Sequence, residues 1–190
     1  VIREKYDITF VYRYSAEYEK GLKDKQIDKV KIIPQRLLSN VGLFSRLKSK
    51  IQNRVLYRLL ILLLFLLQKT GVYSFVNYFL LLKLFKKIAP DILYVNNGGY
   101  PGSRACLTAV FSAKSAKINN IIFNVNSLAT IQNGFIDRFI DRHIDNIVDI
   151  FVTASYSAGK KLSKNRRFPY NKIRRIANTL FQENEIETLP

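Results

Sequence analysis

Short runs of β-branched and aromatic residues alternate along this chain with longer segments whose apolar residues recur at helical spacing. Residues 7–12, 29–33, 91–96, 120–125, 149–154 and 172–177 read as six strands. Pro34 is expected to stop the second, because proline cannot donate to a strand ladder. Residues 15–22 suit a short helix with Ser15 as its cap. Residues 42–69 and 72–88 read as two longer helices, parted by Gly71 and closed by Ala89 and Pro90. Three more are expected at 103–117, 135–147 and 157–163. Strands alternating with helices imply parallel pairing through right-handed crossovers. The strands are almost continuously apolar, as a sheet covered on both faces requires. The expected fold is therefore α/β, a doubly wound and mostly parallel sheet with helices on both faces. One Rossmann-like domain is expected over 1–180, with six strand ends on one rim, and 181–190 as the start of a linker.

Composition agrees with a packed domain. Of 190 residues, 48% are apolar and 24% charged, enough apolar surface to offset chain entropy. A single cysteine, Cys106, and a single histidine, His143, exclude an internal disulfide framework and a Cys/His zinc site within one chain. A reducing, cytoplasmic setting is the expectation. The chain holds no methionine and opens without a secretory pattern, so it reads as a piece of a longer protein, the alternative being that an initiator methionine was removed.

Charge changes the picture. Thirty-one Lys and Arg face 14 Asp and Glu, a net charge of +17. Residues 29–90 hold twelve basic residues and no carboxylate, and a second basic cluster covers 160–175. Such an excess suits nucleic acid, an anionic membrane surface or phosphorylated substrates, or is simply a basic surface. Arg46, Lys50, Arg54 and Arg58 fall at spacing four beside Leu47, Ile51, Val55 and Leu59, and nine apolar residues follow from Leu59 to Leu67. Lys83, Lys86 and Lys87 come after a second apolar run. The run is too short to span a bilayer. A basic flank beside an apolar stripe suits a helix lying in an anionic interface, with these seven cations as membrane contacts. A core-packing helix and, despite the short run, a true membrane span are the other readings.

Two further segments carry chemistry. Residues 94–103 (YVNNGGYPGS) run from a strand through a glycine-rich turn into a helix. Ligands of open α/β sheets bind beyond the carboxyl ends of strands. Glycines there expose backbone N–H groups, and asparagine amides both donate and accept, which suits sugar hydroxyls. The turn matches neither the dinucleotide fingerprint nor the nucleoside triphosphate loop. In 136–149 an aspartate recurs every four residues. Asp137, Asp141 and Asp145 are expected on a solvated helix flank, with Asp137 pairing to Arg138 or Arg142.

The pieces 90–102, 121–127, 148–155 and 172–178, in that order, resemble the N-terminal, acceptor-side domain of the GT-B glycosyltransferases of family 4. The similarity runs from about residue 88 to 178. It implies a domain that binds the acceptor in transfer of a sugar from a nucleotide-sugar donor, with retention of configuration. The implied acceptor is a membrane-linked glycan in surface polysaccharide assembly, and the implied place is the cytoplasmic face of the membrane. No metal and no cofactor are implied, the nucleotide sugar entering as substrate. Carried over by position, Asn97, Gly98, Gly99, Tyr100, Asn126 and Ser127 would form the acceptor cleft. Gly98 and Gly99 would give N–H groups, Asn97 and Asn126 amide hydrogen bonds, and Tyr100 a stacking face. The chain departs from the family in three places. The first strand and its glycine loop have no counterpart, Thr179 stands where glycine is common, and Asn126 and Ser127 stand where a histidine is frequent. The donor domain does not fit in the twelve residues after Asn178, so the chain alone is expected to be inactive. A basic nucleic-acid-binding module and a non-catalytic, membrane-associated subunit of a split glycosyltransferase are the alternatives.

Overall fold

The computed structural model describes residues 5–23 and 30–176. The chain is α/β with parallel sheets, Rossmann-like and of the doubly wound kind. Its strands form two sheets, where one was expected, and the chain divides into two compact units, Val1–Leu80 and Leu81–Pro190. The single domain expected over 1–180 thus meets two compact units, each with its own sheet. The expected linker at 181–190 lies outside the described residues.

In the first unit, β1 (Ile8–Arg13) pairs in parallel with β2 (Val30–Gln35), joined by α1 (Ala16–Lys23). Pro34 does not end β2. It lies inside the strand opposite Tyr12, which a two-stranded sheet permits because each strand has an outer edge needing no ladder donor. Two helices, α2 (Asn40–Lys50) and α3 (Arg54–Lys69), replace the continuous helix expected over 42–69. Asn53 causes the break. Its Oδ1 accepts the Val55 and Leu56 backbone N–H groups at 3.0 and 3.2 Å and caps α3, so the chain leaves one helix to start another. Asn53→Ala is expected to lower stability by about 1 kcal/mol in urea unfolding, with a loss of helical circular dichroism.

The next helix, α4 (Val72–Ile88), has the predicted bounds, and the boundary between the units falls within it. In the first unit its Asn77 carboxamide brackets the backbone of Leu38, accepting from the N–H at 2.7 Å and donating to the carbonyl at 3.0 Å. Helix α3 buries none of its residues. Among the described residues no single helix is long and apolar enough to cross a membrane. Helices α3 and α4 pass that test only as a pair, bent by 65°.

The second unit is a four-stranded parallel sheet in the order β3 (Ile92–Asn97), β4 (Asn120–Val125), β5 (Ile150–Thr153), β6 (Ile173–Arg175). The connections are α5 (Arg104–Ser115), α6 (Gly134–Ile147) and α7 (Tyr156–Arg166), the last followed by a short 3₁₀ turn, Tyr170–Lys172. One face of the sheet builds the core through Val95, Ile121, Phe123, Val125 and Phe151. Phe168 stacks on Phe151 at 4.4 Å and stands edge-on to Tyr100 at 5.0 Å. Side chains alternate across a strand, so Ile92, Tyr94 and Asn96 lie on the opposite face, where they are exposed.

Helix α6 buries Ile144, but its aspartates are not the solvated flank expected. Its aspartates turn inward: Asp141 is buried, Asp137 pairs with Arg166 at 3.0 Å, and Asp145 with Lys172 at 3.3 Å. Phe135, Ile136 and Phe139 stand exposed. A buried carboxylate demands a paired cation, and Arg166 on α7 supplies one to both Asp137 and Asp141. Arg138 and Arg142, the expected partners, carry no ion pair among the described residues.

Candidate functional site

The carboxyl ends of β3 and β4 carry a cluster of three asparagine side chains. Asn96 on β3 sits directly opposite Asn124 on β4, and Asn126 follows two residues on, on the same face. Asn124 Nδ2 donates to Asn96 Oδ1 at 3.0 Å and to Asn126 Oδ1 at 2.8 Å. Asn126 Nδ2 donates to Asn96 Oδ1 at 2.7 Å. The cluster holds its own geometry and leaves some of its hydrogen-bonding groups unused. A carboxamide has two N–H donors and two acceptor lone pairs, which leaves the Asn96 Nδ2 group, the Asn124 Oδ1 and one Asn126 N–H for a ligand. Asn96 and Asn126 are exposed and Asn124 half-buried. Gly98 and Ser127 are exposed beside them in sequence.

Of the six residues the sequence assigned to an acceptor cleft, the structure leaves Gly98, Asn126 and Ser127 exposed and Gly99 half-buried. Two take other roles. Asn97 is buried, its Nδ2 donating to the Pro101 carbonyl at 3.0 Å and its Oδ1 accepting the Ser103 N–H at 3.1 Å. Its amide is spent on folding the loop. Tyr100 is 1% exposed and offers no stacking face. Its hydroxyl donates to Asp141 Oδ1 at 2.9 Å, and its carbonyl accepts the Thr130 N–H. Asn96 and Asn124 are the amides that join Asn126 in the cluster. The signal for them was the alternation of Asn124, Val125 and Asn126 beside the paired Asn96 and Asn97.

Behind the loop lies a buried polar network. The Arg166 guanidinium, 2% exposed, donates to Asp137 at 3.0 Å and to Asp141 at 2.9 Å, and covers the Tyr100 ring at 5.1 Å. Gln132 donates to the other Asp141 oxygen at 2.7 Å. Burial pushes the Tyr100 hydroxyl far above the usual tyrosine range, and the Asp141 carboxylate adds to it. For Asp137 burial acts upward too, but the Asn133 N–H and the Arg166 guanidinium outweigh it and hold the carboxyl below the usual range. Burial opposes the charge on Arg166, and its two aspartates more than restore it.

The seven cations assigned to a membrane surface divide between three helices, because the break at 51–53 interrupts the stripe of spacing four. Lys50 on α2, Arg54 and Arg58 on α3, and Lys83, Lys86 and Lys87 on α4 are all exposed. The side chain of Arg46 lies outside the described residues. Apolar neighbours are exposed with them: Leu59 at 59%, Leu62 at 58% and Phe75 at 65%. His143 is tied to the Phe139 carbonyl of its own helix at 2.8 Å. Cys106 Sγ–H donates weakly to the Asn96 carbonyl at 3.7 Å. Among the described residues no three His, Cys, Asp or Glu side chains converge as metal ligands. Comparison with protein-family models and with curated proteins returns no match for this chain.

Proposed function

We propose that this chain is the acceptor-binding part of a glycosyltransferase working at an anionic membrane surface. A nucleotide sugar bound by a further domain would be the donor, and a membrane-linked glycan the acceptor. The observation that carries the reading is the amide cluster of Asn96, Asn124 and Asn126 at the carboxyl ends of two parallel strands. Neutral groups that both donate and accept match sugar hydroxyls. The α3 helix with no buried residue supports the membrane part: its apolar side lies open beside Arg54 and Arg58, as an interfacial helix requires. The exposed cations Arg54 and Arg58 would hold the protein at the cytoplasmic face.

Saccharide binding by the chain tests this reading directly. Saturation-transfer NMR with a panel of oligosaccharides is expected to detect binding. Joint Asn96→Ala and Asn126→Ala replacement should weaken it about tenfold, since each lost hydrogen bond is worth about 0.5–1.5 kcal/mol. Both positions are exposed, so circular dichroism should not change. A chain that binds no saccharide at millimolar concentration removes the acceptor reading, and tight, salt-sensitive RNA or DNA binding would replace it.

A further inference from the structure

The turned face of α6 asks for a partner. Phe135, Arg138, Phe139 and Arg142 recur at i, i+3, i+4 and i+7, so they share one side of the helix. All four are exposed, Phe135 at 78% and Phe139 at 60%. Ile136 adds to the apolar part, and Ile131 before the helix is 76% exposed. Beside them opens a cavity of about 290 Å³ lined by Ile131, Gln132, Arg138, Lys164, Asn165 and Arg167. Three of the six are cations and none is a carboxylate. The volume is at the lower limit of ligand pockets, roughly 300 Å³, which suits a phosphate headgroup better than a whole nucleotide.

The charges around the cavity favour an anion. The nearest acids in sequence, Asp137 and Asp141, are both consumed by Arg166. Arg138, Lys164 and Arg167 make no ion pair among the described residues. Gln132 and Asn165 are fixed by internal bonds, Gln132 to Asp141 and Asn165 to the Ala129 carbonyl at 2.8 Å, so the cavity wall is stiff and its cations are free. An anion alone would not need exposed phenylalanines, and an apolar partner alone would not need three free cations. Together they describe an anionic lipid.

We infer that α6 and the end of α7 form a phospholipid site of the second unit. The lipid phosphate sits among Arg138, Lys164 and Arg167, and Phe135, Ile136 and Phe139 enter the acyl boundary of the bilayer. The site uses no residue of the α3–α4 surface and none of the asparagine cluster, so it stands whether or not the saccharide reading does.

The chain has no tryptophan, so Phe139→Trp gives a single reporter at an exposed position. Its emission is expected to shift to the blue with phosphatidylglycerol vesicles, and not with phosphatidylcholine vesicles or inorganic phosphate. Replacing Arg138 and Lys164 by Gln in that reporter should weaken vesicle partition about fivefold per charge, and salt should do the same. Leu59→Ser with Leu63→Ser on α3 should leave the blue shift in place. An unshifted reporter on a chain that still floats with vesicles overturns the inference and leaves the α3–α4 surface as the membrane contact. A response to inorganic phosphate equal to that with vesicles, or to an oligonucleotide instead of lipid, overturns it as well.

Discussion

Arg166→Met is expected to destabilise the second unit by about 3–5 kcal/mol, measured by urea unfolding followed by circular dichroism. The substitution keeps an unbranched apolar stem and removes the guanidinium with its charge. Asp141 then remains buried, 3% exposed, with hydrogen bonds from Tyr100 and Gln132 but no cation. An uncompensated buried carboxylate is the costly half of a broken pair. Asp141→Asn in the Arg166→Met background removes that charge and keeps an acceptor for the Tyr100 hydroxyl. The double variant should therefore recover part of the loss, with a coupling of about 0.5–3 kcal/mol in the cycle. A loss below 1 kcal/mol in the single variant would show that water reaches Asp141. The pH dependence has a definite sign. Asp137 has a depressed folded-state pKa, so its contribution is present above the ordinary carboxylate pKa of about 4 and is lost as pH falls through the folded value. Tyr100 is shifted upward, so its contribution is complete below about pH 10 and declines above it. Arg166→Met removes the charge that holds Asp137 down, and its acid unfolding should move to higher pH.

The elements that patterning defined were those whose signals lie inside the element. Helix α4 over 72–88 and β4 over 120–125 came out with the bounds expected, because glycine, proline and strand composition mark both ends. The α/β alternation was legible for the same reason. What escaped depended on partners distant in sequence. The direction of α6 was decided by Arg166, twenty-five residues beyond Asp141, and nothing local says that acids spaced by four will turn inward. Tyr100 looked like a binding aromatic because glycines surround it, but Phe123 and Phe168 box it from elsewhere in the chain. Asn96 and Asn97 show how fine the margin is. One residue of strand register separates an exposed amide from a buried one, and the sequence alone favoured the member that the fold buries. The division into two sheets was equally invisible, since each strand is a plausible parallel neighbour of any other.

Gly102→Ala is expected to cost about 3 kcal/mol, a left-handed penalty of about 1–2 added to overpacking of about 1–3. Gly102 has φ of +56°, and a Cβ there would lie 2.3 Å from the Gly99 carbonyl oxygen and 2.5 Å from Asn97 Oδ1. Neither neighbour can yield cheaply. The first is backbone, and the second is the carboxamide that ties Pro101 to Ser103. Relief would require Asn97 to release the loop at its base, carrying Gly98 and Gly99 with it. Gly98→Ala is the matched control: a Cβ there meets nothing within 4 Å, so its effect on stability should stay within about 0.5 kcal/mol. The pair also reports on function. With the fold intact at low temperature, Gly102→Ala should lose saccharide binding while the Asn96–Asn124 pairing across the strands persists. Retained binding at the wild-type level would confine the site to the asparagine cluster and exclude the glycine loop from it.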